Sequence, residues 1–172
     1  MEEFKKSTDK RHLSVDFSIK ATWLAISKMY NLLGSNYDIT HSTGFVLLNI
    51  DKDHGTPATK IAPLMGMEAR SLTRMLKTME EKGFIERVAD PGDRRKVIIK
   101  LTELGQRKRE MSKQTVKVFL NRVYSVITQE ELEVFFGVMD KIHDVINDPE
   151  NGMLEEIKER LEDMGITEDN AH

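Results

Sequence analysis

Two groups of residues in this chain could do chemistry on a polyanion. Arg70, Ser71, Thr73, Arg74 and Lys77 recur at spacings that bring them to one side of an α-helix. Asp93, Arg94, Arg95 and Lys96 follow Asp90-Pro91-Gly92 between two short strand-like runs, at the tip of a hairpin. A guanidinium can donate two parallel bonds to the O6 and N7 of guanine, which discriminates against a wrong base by roughly 1 to 3 kcal/mol. Arg70 and Arg74 suit that task, Ser71 and Thr73 are short enough to reach base edges or phosphate, and Lys77 suits a phosphate. In the hairpin, Arg94 could enter a narrow minor groove, where the negative potential is enhanced, while Arg95 or Lys96 holds the backbone. The charge of Asp93 opposes phosphate, so its expected work is to accept hydrogen bonds from a neighbouring arginine or from turn amides and fix the tip.

These side chains need elements to hold them. The helix predicted over about 68–82, closed by Gly83, carries Leu72, Met75, Leu76 and Met79 almost opposite the cationic set. Residues 84–89 and 96–101 read as the two strands, with a six-residue connection between them. Before this helix, Thr56-Pro57 has the form of a helix start, a hydroxyl cap and then a proline, for a helix reaching Met65 and ending at Gly66. Pro63 removes one ladder bond, which predicts a kink or an early, tight last turn. Helix, turn, helix and β-wing form a winged helix-turn-helix.

The flanking segments read as helices with more apolar surface than one chain covers. Residues 13–33 carry two stripes, Leu13, Phe17, Ala21 and Leu24 on one side and Ile19, Trp23, Ile26, Tyr30 and Leu33 on another. After a linker at 34–40, a further helix runs over about 41–52. Thr102 caps a long helix to about Val126, and Thr128 with Glu131 forms a capping box for one to about Asn147, again apolar on two faces. The fold class is therefore mainly α with a small β-wing. A winged helix-turn-helix domain (54–101) is joined to a helical dimerisation region built from N-terminal (13–53) and C-terminal (102–147) helices, followed by an acidic tail (148–172). A self-contained bundle is the alternative to dimerisation. In the tail, Leu154, Ile157, Leu161 and Met164 line one face of a short helix.

The 172 residues carry a net charge of −3, but its distribution is uneven. Residues 55–109 hold 13 Lys and Arg against 7 Asp and Glu, whereas 148–172 hold 2 against 9. A basic middle in a mildly acidic protein marks the segment that meets an anion. No apolar run is long enough to cross a membrane and the first residues have no signal-peptide pattern, so a cytoplasmic location with no membrane partner is expected. Cysteine is absent, which excludes disulfides and thiolate metal sites.

The segment Ile61 to Arg87, with the Asp90-Pro91-Gly92-Asp93-Arg94-Arg95 wing and the following Leu101-Thr102-Glu103-Leu104-Gly105, resembles the core of the MarR family of transcriptional regulators. The resemblance is strong over about 55–105 and weaker over 13–147. It implies a triangular homodimer, a pseudo-palindromic double-stranded DNA operator, and repression relieved by a small aromatic or anionic effector. By matched position it places Arg70, Ser71, Thr73 and Arg74 at the major groove and Arg94 at the minor groove. An effector pocket between the first, second and fifth helices is implied in the same way, with Trp23, Met29, Tyr30 and Phe45 as lining candidates. Glu68 stands where such proteins often carry a serine cap, which leaves the helix start and the contact role of Ala69 open.

Other chemistry finds little support. His12, His41, His54, His143 and His172 show no i, i+4 ligand pair, and no metal or other cofactor is expected. The methionines suit packing better than an adaptable pocket. No phosphate loop, nucleophile triad or paired carboxylates point to an enzyme. Two rival readings remain beside the DNA-binding one: a winged helix that binds an acidic protein, and a ligand-binding protein without DNA function.

Overall fold

A computed structural model describes residues 14–93, 96–148, 150 and 152–166, and among these residues lie seven α-helices and three strands. The first helix, α1 (Val15–Gly34), is followed by a 3-10 turn over Ser35–Tyr37 and by α2 (His41–Asn49). The Thr40 hydroxyl caps α2, accepting from the Thr43 amide at 3.1 Å. Next come β1 (Thr56–Pro57), α3 (Ala58–Leu64), α4 (Ala69–Glu81), β2 (Ile85–Ala89) and β3 (Val97–Leu101). The chain continues through α5 (Glu103–Tyr124), α6 (Gln129–Asn147) and α7 (Met153–Asp163).

Among the described residues the predicted helices and both wing strands are present, with Thr56 and Phe84 reassigned. Thr56 does not cap a helix: it lies in β1, which pairs antiparallel with β3 in the register Thr56↔Ile99 and Pro57↔Ile98. Its buried hydroxyl accepts from the Asp51 amide at 2.9 Å and donates to the Asn49 carbonyl at 3.4 Å. The α3 helix then starts at Ala58 with no side-chain cap. The sheet therefore has three strands in the order β1-β3-β2, with β3 central. Pro63 sits in the last turn of α3, where the Met65 amide donates to Ala62 at 3.1 Å, so the helix tightens and stops rather than kinking. The α2 helix is shorter than the 41–52 expected, because Ile50 turns out of it in an extended conformation and drops into the core.

The interior follows from the amphipathic patterns. Val46, Leu47 and Ile50 enter it from α2 and the residue after it, Ile61 from α3, Leu72, Leu76 and Met79 from α4, and Ile85, Ile99 and Leu101 from the sheet. Phe84, assigned to a strand by sequence, is instead the buried residue of the turn between α4 and β2. That turn is a Schellman closure: Phe84 donates to the Met79 carbonyl at 2.9 Å and Gly83 to that of Glu80 at 2.9 Å. Gly83 adopts a φ of +69°, which a residue with a Cβ enters only under strain. Thr102 ties the next element to this corner, donating from its hydroxyl to Gly83 at 2.6 Å and accepting from the Gly105 amide at 3.0 Å. At Gly105 the backbones come so close that a Cβ would stand 1.8 Å from the Phe84 carbonyl oxygen.

Contacts divide the chain into two units, one ending at Leu120 and one starting at Asn121. The first holds the whole buried cluster. In the second, α6 begins with the expected capping box, Thr128 accepting from the Glu131 amide at 3.2 Å and Glu131 from the Thr128 amide at 2.9 Å. No described residue of α6 or α7 is buried.

Candidate nucleic-acid interface

The α4 helix separates its residues by face. Leu72, Leu76 and Met79 are buried and Met75 is half-buried, while Arg70, Ser71, Thr73, Arg74 and Lys77 are all exposed. Ridge packing of the apolar face fixes the roll of the helix, so the polar face is held outward. Among the described residues, neither the Arg70 nor the Arg74 guanidinium enters an ion pair within 4.0 Å. Lys77 lies 3.8 Å from Glu81 with both side chains well solvated, an arrangement of little strength that a phosphate can displace.

Thr73 is committed further than sequence shows. Its hydroxyl donates to the Ala69 carbonyl at 2.8 Å, so its lone pairs are what it offers outward, and it fits an amino donor on a base edge rather than a phosphate. At the start of the helix, Glu68 occupies the N-cap without a side-chain bond, and Ala69 is the first helical residue.

The wing tip is organised in part by a residue the sequence reading did not single out. Asp90 accepts the turn amides of Gly92 at 2.7 Å and Asp93 at 3.2 Å. The Asp90 amide donates to the Lys96 carbonyl at 3.0 Å and the Lys96 amide to that of Asp93 at 2.9 Å, so the connection spans 90–96. Asp93 is half-buried with its carboxylate 3.5 Å from the exposed Lys96 ammonium. Arg94 and Arg95 lie outside the described residues. Preceding residues could have revealed Asp90, since Asp-Pro-Gly is itself an Asx-turn sequence.

A second positioning contact was not foreseen. Arg87 on β2 meets Glu80 on α4, Nε to Oε2 at 3.1 Å, with both side chains about a third to two fifths exposed. It joins the base of the wing to the last turns of the helix that carries the cationic face. Lys82 makes a corresponding tie to Asp38 at 2.6 Å, whose backbone is left-handed at φ +53°.

Apart from this face, a cavity of about 330 Å3 opens between α1, α2 and α5. Trp23, Tyr30 and Phe45 line it as expected, but Met29 does not: it is half-buried away from the cavity wall, one residue off the stripe that Ile26, Tyr30 and Leu33 turn inward. His41, passed over in sequence because it has no ligand-spaced partner, sits in the wall between Trp23 (ring centroids 4.9 Å apart) and Tyr30 (5.2 Å, nearly parallel). Burial lowers its pKa and raises that of Tyr30. No group of three or more His, Asp or Glu residues is arranged to hold a metal among the described residues.

Residues 39–97 match the family model for the MarR family. The HTH-type transcriptional regulator YdcH of Bacillus subtilis is 35% identical over 94 residues, which take in 50% of this chain and 63% of YdcH, so the chain spans under two thirds of that relative. Among solved structures, the reduced form of MarR from E. coli is 26% identical with a TM-score of 0.61, over 75% of this chain and 96% of that one. The repressor CouR bound to a 23-mer DNA duplex has a TM-score of 0.67 at 21% identity, over 80% and 99%, and at that identity shows a shared fold. The buried α4 stripe and the Schellman corner lie inside the segment, residues 39–97, that matches the MarR family model, and the three-stranded sheet is completed just beyond it by β3.

Proposed function

We propose that the protein is a sequence-specific, double-stranded DNA-binding transcriptional regulator, a cytoplasmic homodimer without enzymatic activity. The observation that carries this reading is the outward face of α4: two exposed arginines one turn apart, with no ion pair among the described residues, on a helix whose opposite face is locked into the core. Arg70 and Arg74 read guanines in the major groove, Ser71 and Thr73 touch base edges, and Lys77 holds a phosphate. In the wing, Asp90 and Asp93 shape the tip from which Arg94 enters the minor groove and Arg95 or Lys96 grips the backbone. Repression rather than activation completes the reading, and the DNA-bound repressor CouR shares the fold. Relief of repression is assigned to a small molecule held at Trp23, Tyr30 and Phe45.

No described helix is long and apolar enough to cross a membrane, in keeping with a protein that acts on DNA. The uncovered faces of α1 and α6 supply the dimer contact, and two-fold symmetry then requires an imperfect palindrome with half-sites about 10 bp apart, one helical turn. Footprinting the purified protein on genomic DNA tests the whole reading. A protected pseudo-palindrome supports it, and a protein that binds specific and random DNA equally at every salt concentration refutes it.

A further inference from the structure

The cavity wall holds one group able to change charge near neutral pH, and its surroundings decide which charge state the cavity tolerates. His41 lies between the Trp23 and Tyr30 rings and 6.4 Å from that of Phe45, and its backbone amide donates to Asn31 Oδ1 at 2.7 Å, which fixes the start of α2 against α1. No carboxylate, ammonium or guanidinium is part of the described lining. From α1 the only titratable neighbour is Tyr30, from the 3-10 turn it is Tyr37, and α2 and α5 present Phe45, Met111, Thr115 and Val116. Lys108 on α5 is outside the described lining: its ammonium is engaged by the backbone carbonyl of Tyr37 and stands 5.7 Å from the centre of the Phe84 ring.

Ring faces favour an imidazolium weakly, and no acid is present to favour it strongly. Burial prevails, and the His41 pKa falls below the ordinary histidine value, so the imidazole is uncharged at neutral pH. An apolar ligand would strip the remaining water from the cavity side of the ring and disfavour the charged form further. An anionic ligand would do the reverse, drawing a proton onto His41.

Resting on the assignment of this cavity as the effector site, we propose that it takes an uncharged, planar, largely apolar molecule stacked on Trp23 and Tyr30, and that His41 must be uncharged for it to bind. Affinity therefore rises with pH through the His41 titration and levels off above it. Acidification acts as a second input, emptying the site.

The test uses the full chain and two fluorescent probes sharing a ring frame, uncharged N-phenyl-1-naphthylamine and its anionic relative 8-anilinonaphthalene-1-sulfonate. The uncharged probe should weaken on acidification from about pH 8 to about pH 5, approaching about tenfold per pH unit below the His41 pKa, the limit for one linked proton. His41→Phe keeps a ring in the stack and should flatten that profile. The proton signals of His41 in the wild-type protein should report a lower pKa with the uncharged probe bound than without it. A flat wild-type profile, a slope that survives His41→Phe, or a His41 pKa that is unmoved or raised by the probe overturns the proposal. So does an anionic probe that binds more tightly than the uncharged one and loses that advantage in His41→Phe. The effector assignment is read separately: if the probe binds with the expected pH slope yet leaves operator affinity unchanged, that assignment fails while the ligand class stands.

Discussion

The winged-helix segment and the helices that follow it are built on opposite principles. Between Val46 and Leu101 twelve residues bury themselves against one another, and Phe84, Leu47, Ile50, Ile61, Met79, Ile99 and Val46 are almost wholly removed from water. From Asn121 onward the described chain buries nothing, although Val134, Phe135, Phe136, Val145 and Ile146 are as apolar as any of these and remain more than half exposed. The first segment closes on itself. The second presents well-formed helices whose apolar area is left uncovered by the described residues, which is the condition under which association removes the most surface from water.

The sharpest way to break this contrast is to substitute phenylalanines in each segment. Phe84→Ala should cost the winged helix roughly 3 to 5 kcal/mol in chemical denaturation, as a large core truncation does. In α6, Phe135→Asp together with Phe136→Asp should leave the winged helix folded and turn the dimer into a monomer by sedimentation velocity. If the α6 variant unfolds the whole chain, or the protein sediments as a monomer before substitution, the contrast is wrong. Next in size, Arg74→Ala should lose roughly 1 to 3 kcal/mol of preference for the operator over a mismatched site in anisotropy titrations. Arg94→Ala should weaken binding to every sequence and reduce the salt slope by about one counterion. Equal losses on specific and random DNA for both variants would contradict that division of labour.

Smaller effects sharpen the picture. Cutting the tie between wing and helix with Glu80→Gln should weaken operator binding without lowering the melting temperature appreciably, since a half-exposed pair adds little to stability. Thr128→Ala removes the capping box of α6 and should cost about 1 kcal/mol, read as lower helicity and weaker dimerisation while the winged helix is untouched.

Legibility followed the range of the forces. Local patterns gave α4 and its two faces, the capping box at Thr128, the glycine closure at Gly83 and the hairpin beyond it, because capping, helical periodicity and turn chemistry act within a few residues. Thr56 shows the opposite case. Followed by Pro57 it is a good helix start by any local rule, yet a partner more than forty positions away, Ile99, takes it into a sheet edge. Met29 misses the cavity lining by a smaller margin, because one residue on a helix is a rotation of 100°.

The amino-acid order by itself settled the two faces of α4, the capping box that opens α6 and the glycine that closes α4, and with them a cationic stripe on a winged helix, since each of these depends on neighbours along the chain. Tertiary structure alone decided that β1 joins the sheet, that Arg87 grips Glu80, and that His41 stands in an apolar wall between Trp23 and Tyr30. Those facts depend on which distant segments meet, and neither periodicity nor capping carries a signal across such separations.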